Sequence, residues 1–215
     1  MSLILHCHPL ASYCWKVLLA LYEAEIPFQA HHVDLSRADE RAALERLWPV
    51  AKFPVLRDTA RDQVVPESSI IIEYLACHYP GKVALLPADP DAARETRLRD
   101  RFYDLYVHEP MQKIVGDRLR PADRRDPHGV AQAHATLELS YSMLEKDPRT
   151  GDAATGSAFT LADCAAAPAL YYADKVHPLG EAHPRVTAYL NRLLARPSFT
   201  RVLAEAAPYF AQFPG

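Results

Sequence analysis

The sequence predicts an α/β domain followed by an all-helical domain, and three observations carry that expectation. The first eighty residues alternate short extended runs with helical stretches in the order β-α-β-α-β-β-α. Such alternation builds a layered sheet with covering helices. The stretch YPGKVALLPADPDA (79–92) then breaks the pattern with prolines and a glycine that cannot continue a helix. Beyond it the apolar spacing is helical to the end. The expected organisation is an α/β domain over 1–80, a linker over 81–90 and a helical domain over 91–215.

The elements follow in order. SLILH (2–6) is a short apolar strand. Ser12 to Ala24 keep a helical period, with Val17, Leu18, Leu21 and Tyr22 on one face. IPFQAHHVDL (26–35) is extended again. RADERAALERLW (37–48) is a charged helix with Leu44, Leu47 and Trp48 as its apolar stripe. KFPVLRD (52–58) is a strand opening at a proline, and ARDQVVPE (60–67) gives a turn and a further short strand. ESSIIIEYLACHY (67–79) is apolar nearly all round, which predicts a buried helix. In the second half, Leu98, Phe102, Leu105 and Tyr106 share a face, and Ile114, Val115 and Leu119 continue the same helix. Pro110 lies inside it and should kink it. Further helices are expected over 130–145, 161–175, 184–195 and 199–206. RLRPADRRD (118–126) mixes both charges with proline and reads as a solvated interhelical loop. In FTLAD (159–163), Thr160 and Asp163 form a capping-box pattern. Losing such a cap costs ~0.5–2 kcal/mol, so Asp163 reads as a folding residue rather than a catalytic one.

Composition removes several function classes. The formal net charge of −3 lacks the basic footprint of a nucleic-acid binder. No apolar run approaches the ~20 residues that span a bilayer. LILHC near the start is too short for a signal peptide, so a cytoplasmic protein with no membrane partner is expected. The four cysteines, Cys7, Cys14, Cys77 and Cys164, are widely spaced without a Cys-x-x-Cys pair. That spacing argues against a disulfide framework and against a structural zinc site, so no metal is expected.

Two segments carry chemistry. Pro54 opens its strand without an N–H to donate, and Phe53 before it is pushed into an extended conformation. The backbone of Phe53 could then face outward and pair with an extended peptide, or the segment could be a plain strand start. In VPESSIII, Glu67 and Ser68 open a helix. Helix starts present unpaired N–H groups and partial positive charge, which hold carboxylates. Ser68 adds a hydroxyl donor, and Glu67 could accept from an ammonium. Alternatively, both residues merely start the helix.

Together and in this order, KFPVL before the third strand and PESSIIIEYL opening the last helix of the unit resemble the glutathione transferase family. The helical remainder and the FTLAD box fit the same likeness, which covers essentially the whole chain. The resemblance implies a thioredoxin-like N-terminal domain with a C-terminal helical bundle, a homodimer, and glutathione as co-substrate. It implies that Phe53, before a cis-Pro54, pairs its backbone with the cysteinyl part of glutathione. Glu67 and Ser68 would hold the γ-glutamyl ammonium and carboxylate, and Lys52 the glycyl carboxylate. The second substrate would be an apolar electrophile bound against the helical domain. Tyr103, Tyr106 and Met111 are candidates for its pocket, with Tyr172 and the tail APYFAQFPG (207–215) behind them. Aromatics at that spacing serve core packing or a dimer interface equally well.

The sequence departs from the family where the reactive group should lie. In the turn before the first helix, matching Cys14 to the last position of a Cys-x-x-Cys motif puts Ala11 first, where a serine or cysteine is usual. Ser12 beside it, in the first helical turn, is the expected replacement donor to the sulfur. His6 at the end of the first strand and Tyr13 are alternatives. The requirement is modest: a thiol of pKa ~8.5 becomes mostly thiolate at pH 7 if lowered by about two units, which is ~2.7 kcal/mol. A helix N-terminus with one donor supplies that order of energy. The leading expectation is a glutathione transferase with Ser12 stabilising the thiolate. Three alternatives stand beside it: a glutathione- or partner-binding module with little turnover, thiol–disulfide exchange through Cys14, and a glutathione-dependent isomerase or dehalogenase.

Overall fold

The computed structural model describes residues 2–150 and 158–212. The N-terminal unit runs β1 (Leu3–Cys7), α1 (Ser12–Glu23), β2 (Gln29–His32), α2 (Ala38–Leu47), β3 (Val55–Asp58), β4 (Gln63–Pro66) and α3 (Ser68–His78). The four strands form one mixed sheet in the order β2-β1-β3-β4. β1 pairs parallel to β2 and antiparallel to β3, and β3 pairs antiparallel to β4. This is a thioredoxin-like arrangement. Along β1, Leu3, Leu5 and Cys7 are buried in the core that also holds α1 and α3, while His6 takes the opposite face.

Residues 79–89 carry neither helix nor strand. The segment is tied to both sides. Lys82 N–H bonds the Ala24 carbonyl at 3.0 Å, and the Leu85 carbonyl accepts from Leu161 N–H at 2.8 Å. Gly81 lies so close to the end of α1 that a Cβ there would sit 2.1 Å from the Ala24 oxygen. The helical unit follows: α4 (Pro90–Phe102), a π turn (Tyr103–His108), α5 (Glu109–Arg118), α6 (Pro127–Lys146), α7 (Leu161–Val176), α8 (Pro184–Leu194) and α9 (Pro197–Ala206). Short 3-10 turns occupy Ala122–Arg124 and Ala207–Gln212.

α4, the π turn and α5 are one rod whose middle is widened by Pro110. Proline has no N–H for the carbonyl one turn earlier. That carbonyl, of Tyr106, is satisfied from another helix by Ser140 Oγ at 2.8 Å. Glu109 N–H reaches five residues back to the Asp104 carbonyl. The expected kink is thus a π turn, a form that concentrates at functional sites.

One continuous core spans both units. Trp15, Leu18 and Leu21 of α1 pack with Leu161, Ala165 and Tyr172 of α7 and Phe199 of α9. At the start of α7, Asp163 accepts from Thr160 N–H at 2.9 Å and from the Tyr189 hydroxyl at 2.7 Å. It is a folding residue.

The sequence reading of α4 is corrected. Leu98, Leu105 and Tyr106, expected as a packing stripe, are 56%, 40% and 51% exposed. The face turned inward carries Thr96, Arg99, Asp100, Tyr103, Asp104 and His108. Lys16 of α1 makes that possible. It is 1% exposed, forms an ion pair with Asp100 Oδ1 at 2.5 Å, and donates to Asp104 Oδ2 at 2.7 Å and to Ser69 Oγ of α3 at 2.9 Å. Arg101 closes the cluster on Ser69 at 2.9 Å and on Asp104. α3 is likewise less enclosed than its composition suggests, since Ile70 is 54% exposed.

A candidate active site between the sheet and the helical unit

Two neighbouring cavities flank the first turn of α1. The first, about 230 Å³, is lined by Tyr13, Trp48, Lys52, Phe53, Pro54, Glu67, Ser68, Arg101, Asp104, Leu105 and Glu109. The sheet register builds it, because Val55 pairs with Pro66. Phe53–Pro54 and Glu67–Ser68 are therefore neighbours although far apart in sequence. The Phe53–Pro54 peptide is cis. Phe53 lies just before the β3–β4 ladder begins, and His8 stacks on its ring at 5.8 Å. Glu67 caps α3 with φ 69° and ψ 119°. A non-glycine residue there carries strain of order 1–3 kcal/mol, the kind kept at binding sites. The Glu67 carbonyl still accepts from Ile71 N–H at 2.8 Å. Ser68 is buried on the first turn, where helix N–H groups lack intrahelical partners. Asp104 Oδ1 is buried and has no hydrogen-bond partner among the described residues. Burial and the neighbouring Asp100 push the Asp104 carboxyl up.

The second cavity, about 290 Å³, includes Ser12, Met111, Gln112, Val115, Leu119 and Tyr172 in its lining. Trp15 Nε1 donates to the Pro9 carbonyl at 2.5 Å and the Tyr172 hydroxyl to the Leu10 carbonyl at 2.9 Å. These two aromatics clamp the turn before α1 and so place Ser12. Ser12 Oγ lies 2.5 Å from His108 Nε2 of the π turn, and Gln112 Nε2 is 3.2 Å from the same ring nitrogen. With the amide donating to it, His108 Nε2 is an acceptor, and the Ser12 hydroxyl donates to it too. The Tyr13 ring covers His108 at 3.7 Å. Burial, reinforced by Asp104, pushes the Tyr13 phenol up, so it stays protonated.

The structure therefore brings Lys52, Phe53, Pro54, Glu67 and Ser68 to one cavity and Ser12 and Met111 to the other. His6, Tyr103 and Tyr106 line neither. His6 faces His31 at 4.8 Å across the β1–β2 pair, and burial with that neighbour lowers it to about 4. Tyr103 is buried in the core, and Tyr106 points outward beside Phe102. Cys14 is wholly buried and its thiol is pushed up by burial, which removes the disulfide-exchange reading. Tyr172 and Gln212 reach the second cavity, while Phe213, Pro214 and Gly215 lie outside the described residues. Arg101, Asp104, His108 and Gln112 escaped the sequence reading. Their signal was Pro110, which marks where the long helix widens. Among the described residues, no group of three or more His, Cys, Asp or Glu side chains could hold a metal ion, and no helix is long and apolar enough to cross a membrane.

His108 gives a pH prediction. Burial and the Lys16 charge lower its pKa from about 6.5 to about 3. Between those values the unfolded chain holds a proton that the folded one does not. Its contribution is complete above pH ~6.5 and is lost as pH falls toward 3, at about 1 kcal/mol per unit. Urea midpoints at pH 7, 6 and 5 should fall more steeply in the wild type than in His108→Gln. Parallel slopes would contradict this.

A thioredoxin-like unit, a charged cavity over its cis-proline and an uncharged one against a helical unit define a class of protein, and comparison with known proteins names it. Residues 5–83 match the family model for the glutathione S-transferase N-terminal domain, and residues 127–192 that for the C-terminal domain. A Pseudomonas putida glutathione S-transferase is 30% identical over 74% of this chain and 69% of its own length. A stringent starvation protein A homolog of Coxiella burnetii is 28% identical over 98% and 96%. The crystal structure of a Methylobacterium radiotolerans glutathione S-transferase with glutathione sulfonate superposes with a TM-score of 0.80 at 27% identity, covering 93% of each chain. The chain belongs to the glutathione S-transferase family.

Proposed function

We propose that this protein is a glutathione transferase that joins the glutathione thiolate to a small apolar electrophile. The observation that carries the reading is the contrast between the two cavities on either side of one helix N-terminus. The charged one offers cations at Lys52 and Arg101 and carboxylates at Glu67, Asp104 and Glu109. That suits a tripeptide with two carboxylates and one ammonium. Glu67 and the unpartnered Asp104 oxygen would take the ammonium, Ser68 and the α3 N-terminus its carboxylate, Phe53 the cysteinyl backbone, and Lys52 the glycyl carboxylate. The cysteinyl sulfur then falls at the first turn of α1, where Ser12 and Tyr13 are the available hydroxyls. A homodimer is part of the reading. Leu98, Leu105 and Tyr106 of the α4 rod and Leu139 and Met143 of α6 are exposed apolar residues, the kind of surface that marks an interface. A monomer in sedimentation would remove it.

Ser68→Ala should weaken glutathione binding by about 10- to 100-fold, since one hydrogen bond to a charged group is worth about 1.5–3 kcal/mol. Titration calorimetry reads this directly, and unchanged affinity would take the γ-glutamyl group away from α3. Conjugation of glutathione across a panel of electrophiles tests turnover. The second reading, a binding module with little turnover, rests on Ala11, which offers no hydroxyl or thiol at the N-cap of α1. Glutathione binding without conjugation would favour it.

A further inference from the structure

One side chain touches both elements that would meet the cysteinyl residue of glutathione. His8 follows β1 and opens the turn that leads into α1. Its Nδ1 accepts from Leu10 N–H at 3.2 Å, its carbonyl accepts from Ala11 N–H at 3.0 Å, and its own N–H donates to Cys14 Sγ at 3.5 Å. The first of these is the turn closure that an asparagine or aspartate side chain makes to the residue two further on. It also fixes the tautomer, since a neutral ring accepting at Nδ1 carries its proton on Nε2. Burial lowers the His8 pKa, against the pull of Asp34 and with that of His32, so the ring is neutral at pH 7. The same ring lies nearly parallel to that of Phe53, at 15° with centroids 5.8 Å apart. Tyr209 meets it edge-on at 6.3 Å. His8 thus grips the turn before Ser12 through Nδ1 and the residue before Pro54 through its face.

We propose that His8 is a positioning residue that sets the spacing between the two halves of the cysteinyl subsite. One half is the first turn of α1, which faces the sulfur, and the other is the Phe53 backbone, which pairs with the peptide. This rests on the glutathione reading above. The sulfur and the backbone of a cysteinyl residue are joined through one methylene, so their two receptors cannot drift apart without losing a contact. The sheet does not hold them there. The β1–β3 ladder ends where His6 pairs with Val55, and His8 and Phe53 both lie beyond that pair. The side chain of His8 takes over where the backbone pairing stops. Its two grips are separable, because the Nδ1 bond acts on the α1 side and the ring stack on the Phe53 side. Releasing one grip frees one half of the subsite.

The test applies two probes to the full chain. Titration calorimetry with S-methylglutathione, which has no thiol to ionise, reads the peptide half. Ultraviolet titration of the bound glutathione thiolate reads the sulfur half. His8→Asn keeps a side-chain acceptor for Leu10 N–H and loses the ring. It should weaken S-methylglutathione binding about threefold or more and leave the thiolate pKa within about 0.2 unit of the wild type. His8→Phe keeps the ring and loses the acceptor. It should raise the thiolate pKa by about 0.5 unit or more and leave S-methylglutathione affinity within about twofold. Wild-type values for both probes in both variants would overturn the proposal. So would the reverse assignment, or equal losses on both probes in each variant, which mark a plain folding role. In each of these cases, binding of S-methylglutathione by the wild type leaves the glutathione reading intact. A wild type that does not bind it would overturn both.

Discussion

Lys16→Met is expected to destabilise the fold by about 3–5 kcal/mol, the usual cost of removing one partner from a buried ion pair. The Lys16 side chain is 1% exposed, and the partner side chains Asp100 and Asp104 are 3% and 5% exposed. Methionine fills the volume of the lysine stem but leaves two buried carboxylates facing each other. Arg101 reaches both, yet its own side chain is 51% exposed, so it neutralises them poorly. Burial and Asp100 already hold the Asp104 carboxyl above its ordinary range, and without Lys16 a proton must enter the cluster. Adding Asp100→Asn and Asp104→Asn to Lys16→Met should therefore recover at least half of the loss. A buried charged cluster is seldom the most stable filling of its space. Here it adjoins the first cavity, which Arg101 and Asp104 both line. The triple variant should thus fold while binding glutathione less tightly than the wild type. Urea unfolding at pH 7 reads the first effect, and a loss below 1 kcal/mol in Lys16→Met would show that the pairs are energetically idle.

That cluster also marks the limit of what the sequence shows. The strand–helix order was legible because each element announces itself within ten residues. Proline opens the third strand, proline and glutamate precede the third helix, and the helical spacing between them is clean. The charged cavity was legible for the same reason, since Pro54 and Ser68 act through local backbone geometry. Lys16, Asp100 and Asp104 had no such signal. Their partners lie more than eighty residues apart along the chain, and an acidic residue on a helix is solvated far more often than it is buried. The one hint was a lysine inside CWKVLLAL, a stretch that is buried at every position. His6 failed differently. In a strand a shift of one residue reverses the face. Leu3, Leu5 and Cys7 claim the core face, so His6 cannot point toward α1. The apolar stripe of α4 misled because periodicity finds a face and does not say what covers it.

Ser12→Ala should raise the pKa of bound glutathione by about 1–2 units and lower kcat/KM by about 10- to 100-fold. One hydrogen bond to a charged group is worth about 1.5–3 kcal/mol, and each pKa unit corresponds to ~1.36 kcal/mol. The argument depends on the direction of a single hydrogen. The Ser12 hydroxyl donates to His108 Nε2 at 2.5 Å. A neutral imidazole is a weaker acceptor than a thiolate, so the hydroxyl turns to the sulfur when glutathione binds. This works only while His108 is neutral. Protonated, it would donate to Ser12, yet its full burial and the Lys16 charge hold it neutral down to about pH 3. The same burial that makes His108 a liability in acid thus leaves Ser12 free to donate at neutral pH. Tyr13 provides the comparison. Its phenol stays protonated and lines the other cavity, so Tyr13→Phe removes the competing donor while keeping the ring over His108. Ultraviolet titration of the bound thiolate in the two variants separates them. A shift in Ser12→Ala alone assigns the hydrogen bond to Ser12, and a shift confined to Tyr13→Phe moves the thiolate across the first turn of α1 to the phenol.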